Sequence, residues 1–428
     1  MNSHTKKIPV VPRAMLLPFV LVTSLFALWG FANDITNPMV AAFKDILAIS
    51  NFESSLVQLA FYGGYCLMAI PAALFIKRYG YKMGIIVGLL FYSLGCLLFI
   101  PAGHVQAFSV FLTAYFVMTC GLSFLETTSN PYILSLGAEG SATRRLNFSQ
   151  AFNPIGSLTG MLIAKELILY KLDALKTVAP LATQKTEALD ILSTPYLVLG
   201  LVVFAFFLLF AISRLPKGET VGVAGQSTAT LAVFRRLIKN RVYTSSVVAQ
   251  AFYVGVQIMV WTFIIQYAEK ELGLDKNTAQ GYNMIAMGIF VTSRFICTFL
   301  LKYIRPSLLL SCLAVGGAAF TLGAIVLHGW AGLYSLIAIS ACMSLMFPTI
   351  YGIALKGLGD DAKLASAGLI LAIGGGAIFP PLQGLLIDKA VWFGDAMSSV
   401  RVSFALPLLC FVVIAVFGRW VGKMRTVK

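Results

Sequence analysis

The sequence predicts an all-α integral membrane protein with twelve transmembrane helices. Of its 428 residues, 59% are hydrophobic and only 11% are charged, whereas soluble domains carry roughly 25% charged residues. A water-soluble fold cannot bury so many apolar side chains, so much of the apolar surface must face lipid. The net charge of +15 comes from short basic clusters between apolar runs. Such clusters are typical of membrane topology, and they argue against a nucleic-acid partner.

Twelve apolar runs are each long enough to cross a bilayer, which takes about 20 helical residues. Two more polar segments interrupt them, a mixed-charge loop at 169–194 and a basic segment at 214–241. The predicted spans are approximately 15–40, 54–76, 83–101, 107–136, 147–168, 195–213, 242–267, 278–301, 307–328, 331–355, 365–387 and 401–421.

The basic segment divides the spans into two sets of six. We therefore predict an N-terminal six-helix half at 1–213, a cytoplasmic linker at 214–241 and a C-terminal six-helix half at 242–428. Most Lys and Arg residues fall on one side of the membrane if the chain begins in the cytoplasm, so both termini are predicted to be cytoplasmic. The first apolar run has no small-residue cleavage site and is predicted to be an uncleaved helix.

Segments of the two halves are similar at equivalent positions. SNPYILSLG in span four corresponds to MFPTIYGIALKGLG in span ten, and NPIGSLTGMLI in span five to AIGGGAIFPPLQGLLID in span eleven. Two similar halves are typical of the major facilitator architecture, in which each half contains 3+3 inverted repeats and substrate binds near the bilayer midplane. Chance similarity between apolar segments is the alternative.

Two carboxylates fall well inside predicted spans, Asp34 in span one and Glu126 in span four. A charged group costs several kcal/mol at such a depth unless it is paired or hydrated, so both are functional candidates. Helical spacing places polar neighbours on the same faces. These neighbours are Asn33 and Asn37 on span one and Asn130 on span four.

Amides continue the polar pattern in both halves. Candidate substrate-binding residues are Gln150 and Asn153 on span five, the stripe of Gln250, Tyr253, Gln257 and Trp261 on span seven, and Asn283 on span eight. Amides beside aromatic faces suit a polyhydroxylated ligand. The alternative is that individual amides bridge neighbouring helices. Pro154 lacks an N–H group, and it therefore exposes a backbone carbonyl in span five.

Arg294 is the one basic residue that lies more than one turn from either end of a predicted span. It either pairs with an acidic residue at the cytoplasmic gate or extends its charge toward the interface. Gly374 to Gly376 with Pro380 and Pro381 suit a bending gate helix in span eleven, or close helix packing. The sequence contains neither an HExxH motif nor a phosphate-binding loop, and its three histidines do not cluster. We therefore predict no enzyme activity, no metal site and no cofactor.

Six segments, quoted in chain order, carry a resemblance: LFALWGFANDITNP, FYGGY, LETTSNPYILSLG, RRLNFSQAFNPIG, SLMFPTIYGIALKGLG and GGGAIFPPLQG. Over nearly its whole length the chain resembles the fucose–galactose–glucose:cation symporter family of the major facilitator superfamily. The resemblance implies a multi-pass importer of the bacterial inner membrane that works as a monomer, with a monosaccharide and the lipid bilayer as its partners. L-Fucose or a related hexose or amino-hexose is the implied substrate, and a proton is the expected coupling ion. A sodium-coupled glucose/galactose transporter of the same family and a major facilitator drug-efflux antiporter are the alternatives.

The resemblance also implies roles for particular residues. Glu126 stands at the place of the family's coupling acid, and Gln150 and Asn153 stand at the places of its sugar-binding amides. In the fucose-transporting members the acid of span one occupies the place of Asn37, whereas here Asp34 lies one turn earlier. A shift of three residues keeps the acid on the same face, about 5 Å along the helix axis. Phe347 stands where a tyrosine is expected, and we include it among the substrate-binding candidates.

Overall fold

The computed structural model describes residues 10–47, 51–172, 175, 181–216, 230–274, 276–389 and 398–424. Every regular element within these ranges is helical. The helices of the first half are α1 (Leu16–Leu47), α2 (Asn51–Leu97), α3 (Phe99–Val105), α4 (Phe108–Ser135), α5 (Ala142–Gln150), α6 (Phe152–Ile163) and α7 (Leu181–Ile212).

The later part of the chain begins with a short amphipathic helix and continues with further spans. Its helices are α8 (Thr230–Lys239), α9 (Arg241–Leu272), α10 (Lys276–Leu300), α11 (Pro306–Val326), α12 (Gly329–Met343), α13 (Met346–Leu355), α14 (Ala362–Leu371), α15 (Gly375–Lys389), α16 (Ser399–Ser403) and α17 (Ala405–Met424).

Ten helical segments of the described residues are long and apolar enough to cross a membrane. One of them, 59–105, contains predicted span three and most of span two. As a straight helix the 47 residues of α2 would measure about 70 Å, more than twice the bilayer core. Gly80 divides α2 with a φ of 83°, a left-handed conformation that glycine adopts without steric cost. Span five, which is broken into short helices, completes the twelve.

Spans five, ten and eleven are interrupted helices. The sequence predicted continuous helices for spans five and ten, and either a bend or close packing for span eleven. Span five consists of α5, α6 and a π-helical turn at Ala164–Leu169, and span ten consists of α12 and α13. Span eleven is broken by a 3-10 turn at Ala372–Gly374, which ends at the first glycine of the Gly374 to Gly376 run. A π-helical or 3-10 turn within a longer helix often occurs at a functional site.

Two predicted boundaries differ from the structure. The loop predicted at 169–194 is helical from Leu181 onward, because the mixed-charge residues there are good helix formers and continue directly into span six. The predicted linker contains α8, whose residues Val233 and Leu237 are buried while Arg235 and Lys239 are exposed. The polar composition of these segments therefore marks the membrane surface and not the absence of helix.

The helix pairings of the first six spans recur in the last six. Spans one and five pair as α1 with α6, and spans seven and eleven pair as α9 with α15. The pairing of spans two and four recurs as α10 with α12, and that of spans three and six recurs as α11 with α17.

Small residues bring α1 and α6 into close contact. A β-carbon on Gly156 would lie 1.9 Å from the carbonyl oxygen of Ala27, and one on Gly30 would lie 2.0 Å from that of Asn153. Neither position accepts a larger residue without moving a backbone, so glycine is required at both. This contact places the polar residues of α1 and α6 beside each other.

The two halves also touch at the end of the bundle that holds the beginning of α1. There α14 packs on α2 and α4, and α13 packs on α5. Asn147 donates from Nδ2 to Thr349 Oγ1 at 3.2 Å, and Lys363 Nζ lies 5.3 Å from the ring centre of Tyr81. Residues of α13 and α14 belong to the same buried apolar cluster as the first half. These contacts close this end of the molecule.

Candidate substrate cavity

A polar cavity of about 720 Å³ lies between the two halves, beyond the closed end. Its volume is within the range of pockets that hold small molecules. Helices α1, α2, α4, α5 and α6 form one wall, and α9, α10 and α13 form the opposite wall. The residues with polar groups on these walls are Trp29, Asn33, Asp34, Thr36, Tyr62, Tyr65, Glu126, Gln150, Asn153, Ser157, Tyr253, Gln257, Trp261, Thr262, Gln280, Asn283 and Arg294.

Most of the candidates proposed from the sequence line this single cavity. Span one contributes two of them, spans four and five three, and the second half five. They are Asn33, Asp34, Glu126, Gln150, Asn153, Tyr253, Gln257, Trp261, Asn283 and Phe347. Residues from two separate halves of the chain thus meet around one space.

Three candidates are placed differently. Asn130 is fully buried behind the wall, where it supports Gln150. Gln250 is fully buried below the cavity, and neither atom of its side-chain amide has a hydrogen-bond partner among the described residues. Asn37 lies within α1, but its side chain is outside the described part of the molecule.

Glu126 presents a carboxylate that is almost entirely buried, with 8% of the residue exposed. Its Oε2 atom has no hydrogen-bond partner among the described residues. Burial disfavours a charged carboxylate unless hydrogen bonds or a cation compensate. The cavity is the side from which water, a proton or a ligand can reach this group.

A hydrogen-bonded chain fixes the amides next to Glu126. Gln150 Nε2 donates to Asn130 Oδ1 at 2.8 Å, and Asn130 Nδ2 donates to the backbone carbonyl of Glu126 at 2.9 Å. Asn153 Nδ2 donates to the carbonyl of Phe26 at 3.2 Å. These bonds orient the amides on the first-half wall before any ligand is bound.

Aromatic side chains form part of the second-half wall. The ring of Trp261 meets that of Phe290 edge-on at 5.0 Å, and its Nε1 donates to Ser340 Oγ at 3.2 Å. Tyr253 meets Phe347 edge-on at 6.2 Å. Trp261 is therefore held in one orientation, with part of its surface available to the cavity.

Arg294 differs from both interpretations of the sequence. It is 3% exposed, so it does not extend to the interface. Within the described part of the chain no ion pair involves it. Its Nη1 donates to the backbone carbonyl of Gln150 at 2.9 Å, its Nε donates to that of Ser344, and its guanidinium lies 4.6 Å from the ring centre of Phe290. It thus connects the two halves through backbone acceptors.

Some cavity residues were not among the candidates. Trp29, Tyr62 and Tyr65 belong to segments that carry the family resemblance, LFALWGF and FYGGY, and helical spacing places the two tyrosines on one face. Gln280 lies one turn before Asn283 on α10, at the same spacing. The sequence thus contained a signal for these residues. It was not specific, because aromatic residues are also frequent where apolar helices pack against each other.

Comparison with known proteins identifies the superfamily of this chain. The Major Facilitator Superfamily model matches residues 22–374. The chain is 51% identical to the L-fucose-proton symporter of Haemophilus influenzae, over 96% of this chain and 97% of that protein. It is 33% identical to the L-fucose-proton symporter of Escherichia coli, over 97% of this chain and 95% of that protein.

A solved structure resembles the whole molecule. The crystal structure of FucP, a Major Facilitator Superfamily transporter in the outward conformation, superposes with a TM-score of 0.87 at 33% identity. The match covers 96% of this chain and 99% of that one. The present chain belongs to the Major Facilitator Superfamily, and the relatives named here are transporters and not enzymes.

Proposed function

We propose that this member of the Major Facilitator Superfamily is a proton-coupled symporter that imports a monosaccharide, with L-fucose as the leading substrate. The 51% identity to a protein named L-fucose-proton symporter supports the substrate and the ion. The similar region extends over both halves, so it includes the residues of both cavity walls. Sugar transport also agrees with the composition of those walls.

The observation that carries the proposal is the position of Glu126. A buried carboxyl group beside a polar cavity binds and releases protons according to its hydration, because removal of water disfavours its charged form. Glu126 and Gln150 line the same cavity, and Gln150 is oriented by Asn130. We propose that Glu126 takes up a proton while the cavity faces outward, and that it releases the proton inside after sugar has left.

The two walls would hold a sugar in complementary ways. Amides donate and accept hydrogen bonds, so Gln150, Asn153 and Gln257 suit the hydroxyl groups of a monosaccharide. The indole of Trp261 offers an apolar surface with a polar edge, which suits the C–H face of a sugar ring. L-Fucose has a methyl group in place of one hydroxymethyl group, and Phe347 supplies apolar surface on the same wall.

Asp34 is the second acid of the cavity, and we propose that it assists coupling from α1. It lies beside Asn33, with Tyr62 of α2 on the same wall. Its position one turn from the acid of the fucose-transporting relatives keeps it on the cavity face of the helix. We therefore propose that coupling requires an acid that faces the cavity near this depth, and that this acid can stand at either of two positions one turn apart on α1.

We further propose that the closed end faces the cytoplasm. The basic clusters that predict cytoplasmic loops, including Lys77 and Arg78, Arg144 and Arg145, and Arg235 and Arg236, lie at that end. The structure then represents the outward-facing state of a bacterial inner-membrane protein with both termini in the cytoplasm. We propose that one chain, without a cofactor, carries out the whole cycle.

Reconstitution in proteoliposomes tests the proposal. Labelled L-fucose, D-glucose, D-galactose and an amino-hexose are offered with an imposed proton gradient or an imposed sodium gradient in separate experiments. We expect concentrative uptake of L-fucose with the proton gradient. Uptake that follows only sodium, or export of an amphipathic cation in exchange for protons without sugar uptake, would contradict the proposal.

A further inference from the structure

Two interrupted helices face each other across the cavity, and each break is followed by a proline. Pro154 lies in α6 and Pro348 lies in α13. Proline has no N–H group, so it cannot donate to the carbonyl four residues earlier in a helix. The carbonyls that lose this helical partner are those of Gln150, at the end of α5, and Ser344, just after α12.

Arg294 donates hydrogen bonds to both of these carbonyls. Nη1 bonds to Gln150 of the first half, and Nε bonds to Ser344 of the second half. The residue comes from a third helix, α10, and is 3% exposed. A guanidinium group has five donors in a rigid planar fork, so one side chain can bond to two acceptors at once. Helix breaks in the two halves are thus connected through a single side chain.

Hydrogen bonds link Arg294 to the residues proposed to bind sugar and protons. The backbone of Gln150 is held by Arg294, and its side-chain amide is held by Asn130. Asn130 in turn bonds to the backbone of Glu126. A displacement of Arg294 would therefore change the orientation of Gln150 at the cavity wall and the packing next to Glu126.

We propose that Arg294 is a positioning residue of the transport cycle, which holds the two proline-broken helices together in the conformation seen here. It stabilises this state because bonds from a charged donor are stronger than those between neutral groups. Opening of the closed end must separate α5 from α13, and we infer that one of the two carbonyls is released at that step. The role in transport rests on the proposed function, but the conformational role does not.

A disulfide trap at the closed end measures this conformation directly. A β-carbon on Gly352 would lie 3.3 Å from that of Thr143, close to the separation found in disulfides. The pair Thr143→Cys and Gly352→Cys, in a background without the natural cysteines, is oxidised briefly in the membrane. The rate of cross-linking reports how often the closed end is closed, and it requires no sugar.

Arg294→Met removes both donors and keeps most of the apolar volume. We expect cross-linking to slow by about tenfold, the effect of losing a charge-assisted hydrogen bond. Arg294→Lys retains the charge on a single point donor, and we expect an intermediate rate. Arg305→Met changes an exposed arginine just after the same helix, and it should leave the rate unchanged.

The prolines supply a test that a general packing role would not pass. Pro154→Ala restores an N–H group that can bond to the carbonyl of Gln150 within the helix, so it competes with Arg294. We expect Pro154→Ala to slow cross-linking, and Arg294→Met combined with Pro154→Ala to slow it no further than Arg294→Met alone.

Additive effects of the two substitutions, or a wild-type rate in the inserted Arg294→Met protein, would overturn the proposal. If Arg294→Met fails to insert, the comparison of Arg294→Lys with Pro154→Ala decides in the same way. A substrate other than L-fucose would leave these results unaffected.

Discussion

The two walls of the cavity differ in the chemistry they present. The first-half wall carries both carboxylates of the described lining, Asp34 and Glu126, together with amides held by hydrogen bonds. The second-half wall carries the cation of Arg294 and no carboxylate among its described residues, whereas amides and aromatic rings occur on both walls. Groups that can exchange protons thus lie on one wall only, while groups suited to a sugar lie on both. The difference suggests that the first half couples transport to the ion, and that the second half contributes to sugar affinity without taking part in coupling.

The largest effect is expected at Glu126. One proton moving through 100 mV supplies about 2.3 kcal/mol, enough for roughly 50-fold accumulation of sugar. Glu126→Gln preserves shape and hydrogen bonding but removes titration. We expect accumulation of labelled sugar to fall to about unity, while exchange of labelled for unlabelled sugar continues. Glu139→Gln, at an exposed glutamate of the same half, is the matched control. Wild-type accumulation by Glu126→Gln would assign the coupling to another group.

A smaller effect is expected at the other acid. Asp34→Asn should reduce accumulation by about tenfold, because one coupling group remains at Glu126. Adding Asn37→Asp restores an acid one turn away on the same helix face, about 5 Å distant. We expect the double variant to regain part of the accumulation, measured in the same vesicles. A double variant that is inserted but inactive in exchange would show that Asp34 has a role specific to its position, such as sugar contact.

Much of this arrangement could be predicted from the sequence, because charges within apolar spans are costly and rarely incidental. Asp34 and Glu126 stood out for that reason, and both line the cavity. The amides were harder to place. Gln250, Tyr253 and Gln257 share one stripe of α9, but the cavity ends between Gln250 and Tyr253, and no spacing rule reveals the depth at which a cavity ends.

Arg294 shows a second limit of the sequence. The sequence showed that Arg294 lies well inside a span, and that Pro154 leaves a backbone carbonyl of span five without its helical donor. Which residue meets that carbonyl depends on how span five and span eight pack, across 144 positions of sequence. Helix breaks in spans ten and eleven were equally hard to locate, because glycine and proline in a membrane helix are compatible with either a break or close packing.

The second-half wall should affect affinity and not coupling. Gln257→Ala removes an amide that faces the cavity, and we expect the sugar concentration for half-maximal exchange to rise by about tenfold, the cost of one or two hydrogen bonds. The number of protons moved per sugar at saturating sugar should remain that of the wild type. A changed proton-to-sugar ratio would show that this wall takes part in coupling.

The smallest effect is expected at Gln250, one turn below Tyr253 on the same helix. It is fully buried and its side-chain amide has no hydrogen-bond partner among the described residues. Replacing such a group with an apolar one of similar size costs little. We expect Gln250→Leu to change half-maximal exchange by less than about twofold, and to leave the thermal unfolding temperature unchanged or raised. A loss as large as that of Gln257→Ala would place Gln250 in contact with sugar.

The most direct test of the division between the walls is the proton signal that accompanies sugar entry. Sugar is added to lightly buffered, sodium-free proteoliposomes of the wild type, Glu126→Gln and Gln257→Ala, and the external pH is recorded. We predict that the wild type makes the medium more alkaline, that Gln257→Ala does so equally at saturating sugar, and that Glu126→Gln does not. Alkalinisation by Glu126→Gln at the wild-type rate, or sodium-dependent sugar uptake by the wild type with no pH change, would contradict the account.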